Sequence, residues 1–331
     1  MKLYYPKYYR NFQCIAGACP DSCCKEWEVD VDQESAARYR SLPGSLGDRL
    51  RQVLRDTDDG TVMTIENRRG PMWHEDGLCR IQAELGHDAL CEVCRQFPRL
   101  RHDYGDFVEL GLELSCPEAA RLILSQPSQM QCEDVPGGEP GEYAQDVMET
   151  LLRTRREILD FLQDNGYSVP QALAVLLLYA YEVQNELDGG DAAVLSPAPT
   201  LQQGLQFAKS ADAELFLDFF RCLEILTPQW QARLAQPAPG DWSQEFRALA
   251  IYFVQRYWLQ AVSDYDLISR AKLTVCACLL IHLLGGNVIE TAQLFSKEIE
   301  NAWENTEAVL DGAYTSPALT DLQLLGLLLG V

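Results

Sequence analysis

The clustering of the cysteines constrains this chain more than any other feature of its sequence. Nine of the twelve cysteines lie within the first 132 of 331 residues. Four of them form the series Cys14-x4-Cys19-x3-Cys23-Cys24. In a reducing cytosol, so dense a group of thiols is better explained by metal ligation than by disulfide bonds. The series therefore predicts a metal or cluster site near the start of the chain.

A second group of thiols follows, and its Cys91-x2-Cys94 pair offers two ligands from one turn. Together the two groups could fill one four-ligand site with thiols to spare, or two sites. Thiolate ligands suit zinc and iron–sulfur clusters alike, so the spacing leaves the metal open. The alternative is a set of reduced, buried thiols without metal. The expected metal ligands are Cys14, Cys19, Cys23, Cys24, Cys79, Cys91, Cys94 and Cys116.

Missing motifs narrow the chemistry and argue against radical chemistry of the usual kind. The sequence contains neither GxGxxG nor GxxxxGK[ST], the glycine-rich loops that bind nucleotide phosphates. The radical S-adenosylmethionine pattern CxxxCxxC begins at Cys19 and Cys23, but Glu26 occupies its third position. The other three thiols, Cys222, Cys276 and Cys278, lie in apolar helical segments and are expected in the core.

The periodicity of the apolar residues predicts a mainly α fold. Alternation predicts short strands at 27–32, 61–65 and 107–114. Helical spacing predicts helices at 33–40, 45–55 and 81–94, and then, beyond a linker at 132–141 that ends in VPGGEPG, at 144–162, 170–187, 211–226, 242–262, 266–284, 289–310 and 317–329. The segment SPAPT at 196–200 is expected to be a loop between helices. We expect a small mixed α/β Cys-rich metal- or cluster-binding region over 1–132, followed by an acidic helical bundle over 133–331.

The charge of the chain bears on its partners. It carries 27 basic and 49 acidic side chains, a net charge of −22, so a nucleic-acid partner is not expected. Residues 1–132 hold 16 basic and 21 acidic side chains, which leaves 11 and 28, a net −17, for 133–331. This acidic part is either a solubilising surface or one that attracts a cationic partner.

The apolar runs of the chain are short. The longest, 273–284, has 12 positions, well below the roughly 20 needed to span a bilayer. No apolar segment typical of a secretory signal precedes the first charges. We therefore expect a cytoplasmic protein that does not enter a membrane.

The thiols of the N-terminal region lie in three characteristic stretches: FQCIAGACPDSCCKEWEVDVD, EDGLCRIQAELGHDALCEVCRQFPR and LELSCPEAARLIL. These stretches resemble the flagellin lysine-N-methylase family, which has kin among CxxxCxxCC-type zinc- or iron-chelating proteins. The resemblance covers roughly residues 8–125 in order, spacing and flanking residues; over 140–331 it is limited to helical character and the stretch FRALAIYFVQRYWLQA.

The resemblance implies a protein-lysine N-methyltransferase that uses S-adenosylmethionine as methyl donor, flagellin as substrate and an iron–sulfur cluster, expected to be 4Fe-4S. Relatives commonly have a cysteine before Pro71, where this chain has Gly70, and the additional Cys91 could replace it. The thiols that occupy family motif positions are Cys14, Cys19, Cys23, Cys24, Cys79, Cys94 and Cys116.

Methylation also requires a base, because a lysine amine must lose its proton before it attacks a methyl group. Glu109, Glu113 and Glu118 lie near Cys116 in the sequence and are candidates, although they could equally be solvated carboxylates. The sequence assigns neither a catalytic residue nor a donor site. Two other interpretations stay open: a non-catalytic zinc- or iron-chelating interaction protein, and a structural zinc domain that stabilises a helical interaction protein.

Overall fold

The computed structural model describes residues 1–25, 27–65, 69–74, 77–125 and 127–330. Glu26, which departs from the radical pattern, therefore lies outside the described residues. The structure is 59% helical, with fifteen α-helices and two small sheets in the described residues. The predicted mainly α fold is confirmed.

Two sheets form the N-terminal part of the structure. The strands are β1 (Lys2–Pro6), β2 (Val29–Val31), β3 (Leu54–Thr57), β4 (Gly60–Met63), β5 (Arg99–Asp103), β6 (Phe107–Leu112) and β7 (Met130–Asp134). The four-stranded sheet has the order β5-β6-β1-β7, in which β1 and β6 are parallel and the other pairs antiparallel. The three-stranded antiparallel sheet has the order β2-β4-β3.

Five short helices lie between these strands. The predicted helix at 81–94 is wrong as a single element, because Gly86 adopts a φ of +87° and ends the first of two helices there. A short 3₁₀ turn, His87–Ala89, separates the two. The five helices are α1 (Gln33–Ser41), α2 (Gly44–Val53), α3 (Arg80–Leu85), α4 (Glu92–Gln96) and α5 (Pro117–Leu124).

The remainder of the chain is helical, and no strand occurs among the described residues beyond 140. The predicted helix at 289–310 is interrupted by a π-helical turn, Ser296–Glu300. The SPAPT segment, predicted as a loop, begins a helix whose first turn holds Pro197. The ten helices are α6 (Gln145–Gln163), α7 (Val169–Leu187), α8 (Pro197–Phe207), α9 (Ala213–Arg221), α10 (Pro228–Ala235), α11 (Gln244–Tyr257), α12 (Ile268–Leu284), α13 (Val288–Phe295), α14 (Trp303–Thr315) and α15 (Asp321–Leu329).

The buried apolar residues form two clusters. The smaller lies within residues 29–94 and is built on Tyr39, Leu50 and Met72. The larger contains the helical part together with β6 and α5, so these two elements pack with the bundle. The division of the chain at 132/133 stays a prediction.

The three remaining cysteines differ in burial. Cys276 and Cys278 on α12 are fully buried, as predicted. Cys222 is exposed, so its predicted place in the core is wrong; it caps the C-terminal end of α9, where the chain leaves the apolar face. Among the described residues, no helix combines the length and apolarity needed to cross a membrane.

Candidate functional site

The cysteines selected from the sequence are brought together by the fold. Segments far apart in the chain surround a cavity of about 530 Å³, which we call the thiol cavity. Its walls come from the loop around 12–24, the start of α3, the end of α4 and the start of α5. Seven of the eight predicted ligands line it: Cys14, Cys19, Cys23, Cys24, Cys79, Cys94 and Cys116.

Three of the eight predicted ligands are placed by helix starts. Cys79, Cys91 and Cys116 are the N-cap residues of α3, α4 and α5. The first backbone N–H groups of a helix have no partner within it, and they favour a negatively charged sulfur nearby. Burial still raises the pKa of Cys116, to about 11, although hydrogen bonds from backbone N–H groups of α5 oppose the increase.

The thiols of Cys23, Cys24 and Cys79 form a hydrogen-bonded group on one side of the cavity. The hydrogen bond with Cys24 lowers the pKa of Cys79 to about 6, and it also lowers the pKa of Cys23. The pKa of Cys24 is raised, because its thiol donates to both neighbours and is buried. The group therefore holds two thiols that ionise easily around one that keeps its proton.

Cys91 lies behind the thiol cavity and does not line it. Its side chain is buried and forms a hydrogen bond with Cys94, which lowers the pKa of Cys91. It lines a small cavity of about 20 Å³ together with Cys24, Cys79 and Gly70. The thiol that could replace the family cysteine is thus on the same small cavity as the position that lacks it.

Gly70 packs directly against the thiol-bearing loop. Its backbone N–H donates to the carbonyl oxygen of Cys24 at 2.6 Å. A Cβ atom at Gly70 would lie 2.9 Å from the Cys24 Cβ, closer than side chains normally approach. A thiol at this position would therefore meet Cys24, and Cys24 would have to move.

The thiols are gathered but do not converge on a point. Across the part of the chain that the structure describes, no group of three or more His, Cys, Asp or Glu side chains has an arrangement that could hold a metal ion. The soft donor set itself fits zinc or an iron–sulfur cluster. The metal, and the cysteines that bind it, stay predictions.

The three candidate bases differ in their surroundings. Glu109 is buried, and its carboxylate accepts hydrogen bonds from Nη1 and Nη2 of Arg155. Glu118 pairs with Arg121, and this hydrogen bond lowers its pKa. Burial raises the pKa of Glu113. Its carboxylate accepts a hydrogen bond from the hydroxyl of Ser115 at 3.2 Å, and Ser115 lines the thiol cavity. The raised pKa of Glu113 is the direction expected of a carboxylate that acts as a base.

A larger cavity of about 780 Å³ adjoins the thiol cavity, and both are lined by Asp21 and Pro117. Its far wall comes from α10, α13 and the π-helical turn, and includes Gln293 and Lys297. Neither residue is predicted from the sequence. No local pattern marks them, because they lie more than 270 positions from the loop that they contact.

Comparison with known proteins places the chain in a family. It is 31% identical over 132 residues to the flagellar biosynthetic protein FliU of Salmonella muenchen, across 38% of this chain and 78% of that protein. The chain belongs to the FliU family. No family model matches this chain, and no solved structure matches it either.

Two longer proteins also match this member of the FliU family. They are the lysine-N-methylases of Salmonella choleraesuis and Salmonella typhimurium, each 31% identical over 132 residues. The match covers 38% of this chain and 33% of each methylase. The chain thus spans about a third of the length of these relatives.

Proposed function

We propose that the chain methylates lysine side chains of a flagellar protein, with flagellin as substrate and S-adenosylmethionine as methyl donor. The names of the relatives supply the reaction and the flagellar connection. The observation that carries the proposal is the thiol cavity, in which seven cysteines from separate segments line one space. Such a gathering is expected of a metal or cluster centre rather than of isolated core thiols.

The proposed centre is an iron–sulfur cluster, expected to be 4Fe-4S, or a zinc ion. The seven lining cysteines would hold it, and Cys91, behind the cavity, is a further candidate ligand. Such a group would supply an electron-transfer centre in the first case and a Lewis acid or a structural cross-link in the second. The described side chains form no converged ligand set, so the proposed centre requires the thiols to move on binding.

Methyl transfer places its own demand on the residues beside the cavity. The lysine nitrogen forms a bond to the methyl carbon while the carbon–sulfur bond of the sulfonium breaks and its electrons remain on sulfur. The amine proton must leave, and Glu113 is the candidate to accept it. Its raised pKa and its place behind Ser115 support that role. The acidic C-terminal part would attract a lysine-bearing protein.

The metal centre is tested on protein purified without oxygen. We expect stoichiometric zinc, or iron with a broad absorbance around roughly 400 nm from thiolate-to-iron charge transfer. Cys23→Ser should lower the metal content, whereas Cys222→Ser, which removes an exposed thiol outside the cavity, should not. Wild-type protein with neither metal would refute the centre.

The reaction is tested by mass spectrometry of purified flagellin incubated with S-adenosylmethionine. Mass gains of one methyl per transfer are expected with the metal-loaded wild type, and smaller gains with Cys23→Ser. No gain with loaded wild type would refute the reaction. Equal gains with both proteins would keep the reaction and remove Cys23 from it.

A second function is a non-catalytic zinc- or iron-chelating interaction protein. One observation favours it: the chain spans 78% of FliU, whose name states no enzyme activity, but 33% of the methylases. Bound metal together with unmethylated flagellin in the assays above would support this second function.

A further inference from the structure

One carboxylate of the thiol-bearing loop reaches the helical part of the chain. The Oδ2 atom of Asp21 accepts hydrogen bonds from Nε2 of Gln293 at 3.1 Å and from Nζ of Lys297. Its Oδ1 atom accepts from Nζ of Lys25, within the same loop, at 3.0 Å. We call the contact of Asp21 with Gln293 and Lys297 the Asp21 anchor.

The ion pair in the Asp21 anchor is largely shielded from water. The Lys297 side chain is 5% exposed and that of Asp21 is 23% exposed. The Lys297 ammonium also lies 5.4 Å from the ring centre of Trp27. A buried ammonium is costly without a counter-charge, so the loop and the π-helical turn hold each other in place.

Gln293 connects a second thiol-bearing segment to the same point. Its Nε2 also donates to the backbone oxygen of Ser115 at 2.9 Å, and Ser115 precedes Cys116. One buried amide on α13 therefore contacts both the loop that carries Cys19 and Cys23 and the start of α5. Both segments bring thiols to the thiol cavity.

We propose that Gln293 and Lys297 are positioning residues that fix the Cys14–Cys24 loop against Cys116, so that metal retention by the thiols depends on the helical part of the chain. The proposal rests on the metal centre of the proposed function. Residues that orient ligands without touching the metal commonly change its affinity by roughly 10–100-fold when they are replaced. Here those residues act through Asp21 and through the Ser115 carbonyl.

The first measurement is the release of zinc to a chelator from zinc-loaded, full-length protein. Lys297→Met and Gln293→Leu should release zinc roughly 10–100-fold faster than wild type. The matched controls are Lys209→Met, at an exposed lysine, and Gln229→Leu, at an exposed glutamine on the same larger cavity; both should release zinc at the wild-type rate. Lys297→Arg keeps the charge and should restore slow release.

The second measurement uses metal-free protein, so that it does not depend on the proposed centre. An aromatic disulfide reagent should modify the lining thiols faster in Lys297→Met and Gln293→Leu than in wild type. Wild type that holds neither zinc nor iron would refute the centre, and this second measurement would still decide the anchor. Rates equal to wild type in both variants would overturn the anchor.

A third comparison separates the anchor from general destabilisation. If Lys297→Met unfolds, Asp21→Asn keeps the shape of the side chain and weakens the same contact. Where Lys297→Met folds, the thiols of the double variant Asp21→Asn/Lys297→Met should be modified no faster than those of the faster single variant, because both changes remove one contact. Additive effects would show that the two residues act separately and would overturn the proposal.

Discussion

The buried pair Glu109–Arg155 allows a prediction with a defined size. Glu109 lies in the middle of β6, and Arg155 reaches it from α6 with two hydrogen bonds of 2.6 and 2.8 Å. The two side chains are 6% and 8% exposed, so neither charge is solvated. The pair joins the four-stranded sheet to the helical part of the chain.

Glu109→Gln should lower the free energy of unfolding by about 3–5 kcal/mol, because it leaves the Arg155 guanidinium buried without a counter-charge. Arg155→Met should have a similar effect for the converse reason. The double variant Glu109→Gln/Arg155→Met buries no unpaired charge and should lose less than either single variant. The coupling between the two residues should therefore be about 3 kcal/mol or more.

Urea unfolding followed by circular dichroism measures all three variants. The control is Glu118→Gln, whose Arg121 partner is 57% exposed; its loss should stay below about 1 kcal/mol. Losses below about 1 kcal/mol for both single variants, or strictly additive losses in the double variant, would refute the argument that burial makes this pair strong.

Three further predictions follow from particular positions. Gly70→Cys should change the metal content relative to Gly70→Ala, because both variants crowd Cys24 equally but only one adds a thiol; equal content would show that the missing thiol is irrelevant. Cys276→Ala should lower the free energy of unfolding by about 1–3 kcal/mol, because it leaves a cavity in the core around α12, and it should not change the metal content. Burial lowers the pKa of His102, so its unfolded form binds more protons; wild type should lose stability relative to His102→Gln as the pH falls below about 6.5, and parallel pH profiles from urea unfolding would contradict this.

The periodicity of the apolar residues predicts an element when its pattern can be read within the segment, without knowledge of what the segment packs against. The apolar residues of α6, α7 and α12 lie within each segment itself, so the sequence alone indicates these helices. The strand β7 has largely polar, exposed residues and was predicted as the start of a linker. It is a strand because β1 pairs with it across about 128 positions, and no local pattern reports such a pairing.

In the candidate site, too, local sequence patterns predict some features, whereas features that depend on distant segments cannot be predicted. Residue type and spacing selected the eight thiols, and seven of them line one cavity. Spacing could not show that Cys91 lies behind that cavity, since its direction depends on how α4 packs against β2. Nor could it show Gln293 and Lys297, whose role exists only once α13 lies beside α5.

The contacts between the two predicted regions bear on how the candidate site is built. The thiols belong to the first 132 residues, but Asp21, Glu109 and the Ser115 carbonyl all bind side chains beyond that point. An isolated 1–132 segment would keep every predicted ligand while exposing the faces of β6 and α5 that pack in the larger core. The predicted ligands therefore all belong to the N-terminal part, whereas their relative placement depends on the whole chain. Metal binding at such a centre would therefore depend on the folding of the helical part as well as on the thiols themselves.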